Sequence, residues 1–426
     1  MNLSPEQAAG LEKIKDWYET SDHTFGAGPM RPFRLFGAAG TGKTTLAKYV
    51  PQALGLTGPH DVRFATYTGK AAHVLRSKGA TPVSTIHSGI YTPGVDGEAV
   101  KALAMARMEV EQLELADQSM PEYSNPARLT ELLESLPDLE KAARRLHFRW
   151  SPDSIWAQAR LIILDEVSMV DQKLAQDIER YNVPVLVLGD PAQLPPVEGG
   201  GYYTTASPDH LLDTVHRQAL ESPVLELATR VRRARGASLG LVRSDFRKRS
   251  LAEAKQADQV LTWTNHRRWS MVNAMRGEKP GRLVPGDKIM CLTNNQELGV
   301  FNGQQFTVLV DRGQGLLDVL DDEGNSREVA VFQSGFLGQD EQVAAKNSGA
   351  GGRGDRMLAT YAQAITVHKS QGSEWREVYI VNELDAMIGQ NTAHSGELAA
   401  YRAARRWAYT AISRASEKVT ITAPTR

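Results

Sequence analysis

Short runs of apolar and β-branched residues recur along the chain, each followed by a turn or a stretch of helical periodicity. The clearest are Phe33 to Phe36, Val62 to Thr66, Leu161 to Leu164, Val183 to Leu188, Val260 to Thr264, Val378 to Val381 and Val419 to Thr422. Strands alternating with helical segments predict βαβ units and parallel sheets. Runs that are apolar at nearly every position suit strands covered on both faces. Two segments break the rhythm. Residues 92 to 151 read as helical and acidic, with no strand signal between Val62–Thr66 and Leu161–Leu164. Residues 300 to 356 read as all-β: Asn302-Gly303 signals a tight turn, and Leu317 to Val331 alternates around Asp321-Asp322-Glu323-Gly324-Asn325. That second segment ends in a loop rich in glycine (Gly349, Gly351, Gly352, Gly354), expected to be mobile.

The pattern predicts an α/β chain of two tandem lobes, each interrupted once. The first lobe takes residues 1–91 and 152–205, with a mainly helical insertion at 92–151. The second takes 206–299 and 357–426, with a β insertion at 300–356. A length of 426 residues with 41% apolar and 23% charged residues leaves room for several cores. No basic N-terminal region leads into an apolar stretch, and no apolar run approaches the roughly 18 residues of a membrane span. The single cysteine, Cys291, has no internal disulfide partner and fits a reducing compartment or one indifferent to redox. These features predict a cytoplasmic protein without a membrane partner. The net charge of −1 lacks the positive excess that many nucleic-acid binders carry. Basic residues cluster from Arg230 to Arg249 and acidic ones between Glu109 and Glu140, and such runs neither support nor exclude nucleic acid.

The chemistry starts at Gly37-Ala38-Ala39-Gly40-Thr41-Gly42-Lys43-Thr44, a phosphate-loop motif directly after an apolar run. Glycines let backbone N–H groups wrap phosphates, and the following helix start adds positive potential. Lys43 is expected to reach the β- and γ-phosphates of ATP, and Thr44 to ligate Mg²⁺. Leu161-Ile162-Ile163-Leu164-Asp165-Glu166 is an apolar strand ending in two carboxylates. Asp165 fits the Mg²⁺-associated position, and Glu166 fits the base for the attacking water. Kinases, switches and transporters share these two motifs, so they establish only a P-loop NTPase.

The remaining motifs resemble superfamily 1 DNA helicases, in the 5′-to-3′ subgroup of the Dda and RecD helicases. Asp165-Glu166-Val167-Ser168-Met169 followed by Gly189-Asp190-Pro191-Ala192-Gln193-Leu194-Pro195-Pro196-Val197 looks like motifs II and III. Leu3-Ser4-Pro5-Glu6-Gln7 resembles the Q motif, Thr66 to Ala72 motif Ia, Ser84 to Ser88 motif Ib and His216-Arg217-Gln218 motif IV. Thr366 to Glu374 resembles motif V and Tyr409 to Ala415 motif VI, with Ser413 where threonine is expected. The resemblance implies two RecA-like lobes, an SH3-like β insertion and a wedge in the helical one. It further implies ATP hydrolysis coupled to 5′-to-3′ movement on single-stranded DNA, with unwinding at single-strand/duplex junctions. Such a motor works as a monomer beside single-strand-binding or replication proteins.

By the same resemblance, Gln7 reads adenine, Gly372 and Glu374 meet the ribose side, and Gly37, Ala39, Gly40, Thr41, Gly42, Thr44 and Thr45 complete the nucleotide cradle. Arg217 and Arg414 reach the γ-phosphate from the second lobe, and Gln193 senses it. Thr68, Lys70, Thr85, His87, Pro195, Thr366 and His368 contact the DNA strand, where hydroxyls, lysines and imidazoles bind backbone without sequence preference. Trp263 is expected to be structural, and Tyr123, Phe148 and Trp150 are core or wedge aromatics. An RNA-directed helicase, or an ATPase subunit regulating a nuclease partner, are the rival readings.

Overall fold

A computed structural model describes residues 3–20, 31–95, 97–119, 125–144, 146–195, 201–214, 222–295, 298–321, 324–338 and 355–424. The glycine-rich loop, Tyr123 and Arg217 lie outside these residues, as does the side chain of Phe148.

In the first lobe, β1 (Phe33–Gly37), β2 (Val62–Thr66) and β3 (Val83–Thr85) precede an excursion carrying β4 (Tyr91–Val95) and β5 (Leu146–Trp150). Then come β6 (Leu161–Asp165), β7 (Val185–Gly189) and β8 (His210–Leu212). Six of these form one parallel sheet, ordered β3-β2-β6-β7-β1-β8. β2, β6 and β7 are buried at every position, as two-sided cover requires. Ile14, Leu35, Leu46, Val50, Phe64 and Ile163 build the core between this sheet and the helices Pro5–Thr20 and Lys43–Ala53.

The second lobe starts with β9 (Phe246–Arg247) and β10 (Gln259–Thr262). Next come β11 (Lys288–Cys291), β12 (Gln305–Asp311), β13 (Leu316–Asp321), β14 (Ser326–Val331), β15 (Arg356–Met357) and β16 (Ala359–Tyr361). β17 (Ala364–Thr366), β18 (Trp375–Ile380) and β19 (Ala415–Thr422) follow. A parallel sheet runs β17-β10-β18-β19-β9. The other six strands run β15-β14-β13-β12-β11-β16, antiparallel except for β14 with β15. Its two edge strands are consecutive in the chain, separated only by Leu358, so the sheet must curl towards closure: a partial barrel of the SH3-like kind. Its core is continuous with the lobe, since Phe306, Val319 and Tyr361 share a cluster with Val260, Val272 and Tyr379.

Two transitions differ from those read in the sequence. β8, after residue 205, still belongs to the first sheet, pairing Leu35 with His210. A three-residue edge strand carries too little pattern to signal its sheet. The antiparallel sheet also opens at Lys288 and closes at Tyr361, wider than 300–356. Ile289-Met290-Cys291 is uniformly buried and reads like a parallel strand, while its partner is 15 or more residues away.

Residues 90–154 form a separate compact unit. Helices Gly97–Ser119 and Pro126–Arg144 pack through Ala106, Val110 and Leu132 and are pinned by Arg128–Glu109 at 2.9 Å and Arg107–Glu140 at 2.6 Å. β4 and β5 form an antiparallel ribbon pairing Tyr91 with Trp150, so with β3 the stretch between β2 and β6, expected to hold no strand, carries three strands of three to five residues, too short to signal themselves.

Candidate functional site

The phosphate loop leaves β1 at Gly37 and turns through Gly40 (φ 78°) and Gly42 (φ 79°) into the helix Lys43–Ala53. Both φ values lie in the left-handed region that glycine adopts freely. A side chain at Gly37 would lie 2.6 Å from both Leu212 O and Thr41 Oγ1. Thr41 is buried and donates its hydroxyl to Ala38 O at 2.9 Å. Lys43 Nζ folds onto the loop, donating to Gly37 O at 2.8 Å and Ala38 O at 2.9 Å. Thr44 and Thr45 follow in the first helical turn, half-buried.

At the end of β6, Thr44 Oγ1 donates to Asp165 Oδ2 at 2.8 Å, and Asp165 Oδ1 accepts the Glu166 N–H at 2.8 Å. A hydroxyl beside one carboxylate is the hard-oxygen pair that Mg²⁺ takes when phosphates and water supply its other ligands. Glu166 holds a left-handed backbone (φ 57°), an uncommon conformation for a residue with a side chain. Burial lifts its pKa above the ordinary carboxylate range, with Asp165 and Asp190 adding to the rise; Arg414 and Lys43 oppose it. A carboxylate so placed is nearer the proton affinity a general base needs.

Gln7 is buried in the first helix, where it closes a capping box: Ser4 N–H donates to Gln7 Oε1 at 3.0 Å and Gln7 N–H to Ser4 Oγ at 3.2 Å. Its Nε2 reaches Thr41 O at 3.5 Å, tying the helix to the phosphate loop.

The second lobe meets this site through the helix Glu397–Ile412 and the turn after it. Arg414 is buried, its guanidinium held by Thr410 O, Ser373 O and Ser413 Oγ, each at 3.2 Å. The serine that departs from the family pattern thus keeps the hydroxyl contact. Tyr409 spans the seam: its hydroxyl donates to Asp190 Oδ2 at 2.5 Å and accepts the Ala39 N–H at 3.2 Å. Thr410 Oγ1 accepts the Leu194 N–H at 2.9 Å, and Gln371 Nε2 donates to Leu194 O at 3.0 Å. Beside this seam Gln193 is buried, and its Oε1 has no hydrogen-bond partner among the described residues.

Residues 28–247 match the AAA domain family, more than half of the chain. The chain belongs to the AAA domain family. This AAA domain protein is similar to the ATP-dependent DNA helicase dda of Enterobacteria phage T4, 28% identical over 205 residues, covering 46% of this chain and 36% of that one. It is also 27% identical over 452 residues to the ATP-dependent RecD2 DNA helicase of Deinococcus radiodurans, covering 98% of this chain and 48% of the relative. The chain therefore spans about half or less of these curated relatives. Among solved structures, Bacteroides Pif1 helicase in complex with ADP-AlF3 and ssDNA shares the fold, with TM-score 0.55, 18% identity and coverage of 100% of this chain and 94% of that one.

Two further approaches among the motif residues cross the seam, Lys70 to Trp375 and Gly372 to Ala71 and Thr68. Thr68 caps the helix Gly69–Ser77 by accepting the Ala71 N–H at 3.2 Å, and Thr85 accepts the Ser88 N–H at 3.2 Å. Lys70 Nζ stands 5.2 Å from the Trp375 ring centroid. Gly372 (φ 75°) makes a close approach, since a side chain there would lie 2.9 Å from Ala71 Cβ and 3.1 Å from Thr68 Oγ1. His87 packs edge-on to Tyr67 at 5.6 Å, and His368 is half-buried; the surrounding protein mass lowers both imidazole pKa values. Pro195 and Thr366 are half-buried and Glu374 exposed. The sequence reading gave no role to Tyr409, Asp190, Thr410 or Gln371. Their only signal was membership of motifs III, V and VI.

Proposed function

We propose that this chain is the motor of an ATP-dependent DNA helicase that moves 5′-to-3′ on single-stranded DNA and unwinds duplex at a junction. The observation that carries the reading is Arg414: a buried second-lobe guanidinium at the seam where Tyr409 bonds Ala39 and Asp190 of the first lobe, with its charge acting on Glu166. A switch that only binds nucleotide has no use for a cation delivered from another lobe, whereas hydrolysis coupled to lobe closure needs one.

In this reading the loop N–H groups and Lys43 hold the phosphates of ATP, and Glu166 takes a proton from the attacking water. Arg414, joined by Arg217, neutralises charge on the transferred phosphoryl group. Thr44 and Asp165 hold Mg²⁺, which when bound screens the phosphate charge. Gln193, whose oxygen has no partner among the described residues, senses the γ-phosphate. Gln7, Thr45 and Glu374 complete the nucleotide surround, Gln7 by bracing the phosphate loop, whereas Gly372, expected on the ribose side, packs on Ala71 and Thr68 beside the path of the strand. Tyr409, Thr410 and Gln371 carry closure into the Leu194–Pro195 turn. Thr68, Lys70, Thr85, His87, Pro195, Thr366 and His368 line the path of the strand, and residues 92–151 provide the wedge. The relatives named helicases support the activity, and the fold shared with a single-strand-bound Pif1 supports the partner.

Strand displacement on duplexes with a 5′ or a 3′ single-stranded tail tests it. ATP-dependent displacement from the 5′-tailed duplex alone is expected. Displacement only from 3′ tails reverses the polarity, and ATP hydrolysis insensitive to any nucleic acid overturns the motor reading.

A further inference from the structure

The seam holds a second concavity, of about 880 Å³. Its second-lobe walls are the helix Pro223–Arg233, continuing to Gly236, and the helix Glu397–Ile412. Arg232, Arg233, Arg235, Arg402, Arg405 and Arg406 line it, and Asp213 is the one acid among the described lining residues. The first lobe closes it with Ala192, Leu211 and Asp213. Strand alternation sets its Leu211 wall on the other face of β8 from the core beneath the phosphate-loop helix. On β8, His210 packs against Gly10 of the first helix and Leu212 enters the core with Leu46 of the phosphate-loop helix. Leu211, 39% exposed, therefore points to the opposite face of the sheet. β8 is also the edge strand farthest from β2 and β3, which lead to Thr68 and Thr85.

Among the described residues the positive charge there is largely uncompensated. Arg232 pairs with Asp213 at 2.9 Å and stands 3.9 Å from Asp190. Arg405 donates to Gly236 O at 2.5 Å and Ser238 O at 2.8 Å, tying its helix to the loop that follows the helix Pro223–Arg233. Arg233, Arg402 and Arg406 make no hydrogen bond or ion pair among the described residues. Burial and the neighbouring Arg402 both depress the Arg406 pKa, as expected where like charges crowd without a counter-ion.

We propose that this cavity is a phosphate-binding site separate from the phosphate loop, taking the oxyanions of a polyphosphate or of a nucleic-acid backbone. Planar guanidinium forks match phosphate oxygens two at a time, and the arginines outnumber what Asp213 neutralises. Occupancy is communicated to the nucleotide site. Tyr409 lines the cavity, and an anion that draws Arg232 from Asp213 and Asp190 changes the partners of the residue that holds Tyr409 against Ala39. The proposal rests on the charge of the cavity and not on the helicase reading.

Pyrophosphate titrated calorimetrically into the wild type, Lys43→Ala and Arg402→Ala/Arg406→Ala separates the two sites. A pyrophosphate site that survives Lys43→Ala and weakens roughly tenfold or more in the arginine double variant is expected. Arg402→Gln, at an exposed helix position, repeats the measurement with minimal risk to folding. A second arm titrates a single-stranded oligonucleotide across a range of salt. A slope reduced by about 0.7 per lost contact assigns the phosphates to a backbone, and an unchanged slope with lost pyrophosphate binding assigns them to a free polyphosphate. The proposal is overturned if pyrophosphate binding is lost with Lys43→Ala but not with the arginines. It is equally overturned if pyrophosphate does not bind and the salt slope is unchanged, or if polyglutamate binds there while neither phosphate source does.

Discussion

The Tyr409 hydroxyl offers the sharpest test of how the lobes are joined, because it serves two partners and is almost wholly buried. Asp190, 1% exposed, accepts from this phenol at 2.5 Å and from the Ala192 N–H at 3.0 Å, with Arg232 at 3.9 Å. Burial and the Asp190 charge together hold the phenol pKa well above its usual value, so it remains a donor throughout the working range. Tyr409→Phe keeps the ring and its packing while removing both the hydrogen bond to a buried carboxylate, a loss of about 2 kcal/mol, and the acceptor of the Ala39 N–H. Asp190→Asn removes the charge that makes the bond strong. A double-mutant cycle of the two, read by urea unfolding at pH 7.5, is therefore expected to show a coupling of about 1–2 kcal/mol. Additivity within about 0.5 kcal/mol would refute the argument, since it would mean that the two groups do not share a bond in solution.

Three further outcomes are expected. Lys43→Ala abolishes ATP hydrolysis while oligonucleotide binding, followed by anisotropy, changes little; persistent hydrolysis removes the phosphate loop from the chemistry. Glu166→Gln binds ATP but hydrolyses it about 10² to 10⁴ times more slowly. Because the folded-state pKa of Glu166 is raised, its contribution to stability is full below the unfolded carboxylate value of about 4.3 and is lost as pH rises through the folded value. Glu166→Gln therefore melts higher than the wild type at pH 8, and scanning calorimetry should see that gain vanish towards pH 4. Arg414→Ala lowers kcat by about 10³-fold or more. It also moves the acid limb of the pH–rate profile upward, because Arg414 is the main charge holding the Glu166 pKa down; an unmoved limb would make Arg414 a purely structural group.

The local part of this architecture was open to inspection in the chain. Both parallel sheets announce themselves because strands buried on two faces must be apolar at every position, as Leu161–Leu164 and Val185–Leu188 are. The phosphate loop is equally plain, because its glycines answer to backbone geometry within eight residues: Gly40 and Gly42 both take φ near 80°. Elements whose identity depends on a distant partner were harder to place. β8 is three residues long and belongs to the first sheet only through β1, some 175 residues earlier in the chain. β11 carries the composition of a parallel strand and pairs antiparallel with β12 and β16.

The same distinction explains why the seam between the lobes escaped the sequence. A motif can mark Gln371, Thr410 and Tyr409 as belonging together, but their roles are defined by Leu194, Asp190 and Ala39, 177 to 370 residues away. Two glycines show how tightly that seam is drawn. A side chain at Gly69 would meet Phe301 Cβ at 2.5 Å, and one at Gly372 would meet Ala71 Cβ at 2.9 Å. The helix Gly69–Ser77 is thus clamped between the β module on one side and the motif V turn on the other. Gly69→Ala must push Phe301 away, whereas Gly372→Ala also forces a left-handed φ on alanine, so the second substitution is the more damaging, by about 1 kcal/mol or more. Equal melting temperatures for the two variants would show that the seam relaxes freely. In that case the contacts recorded here could not transmit nucleotide state to the helix that Thr68 caps.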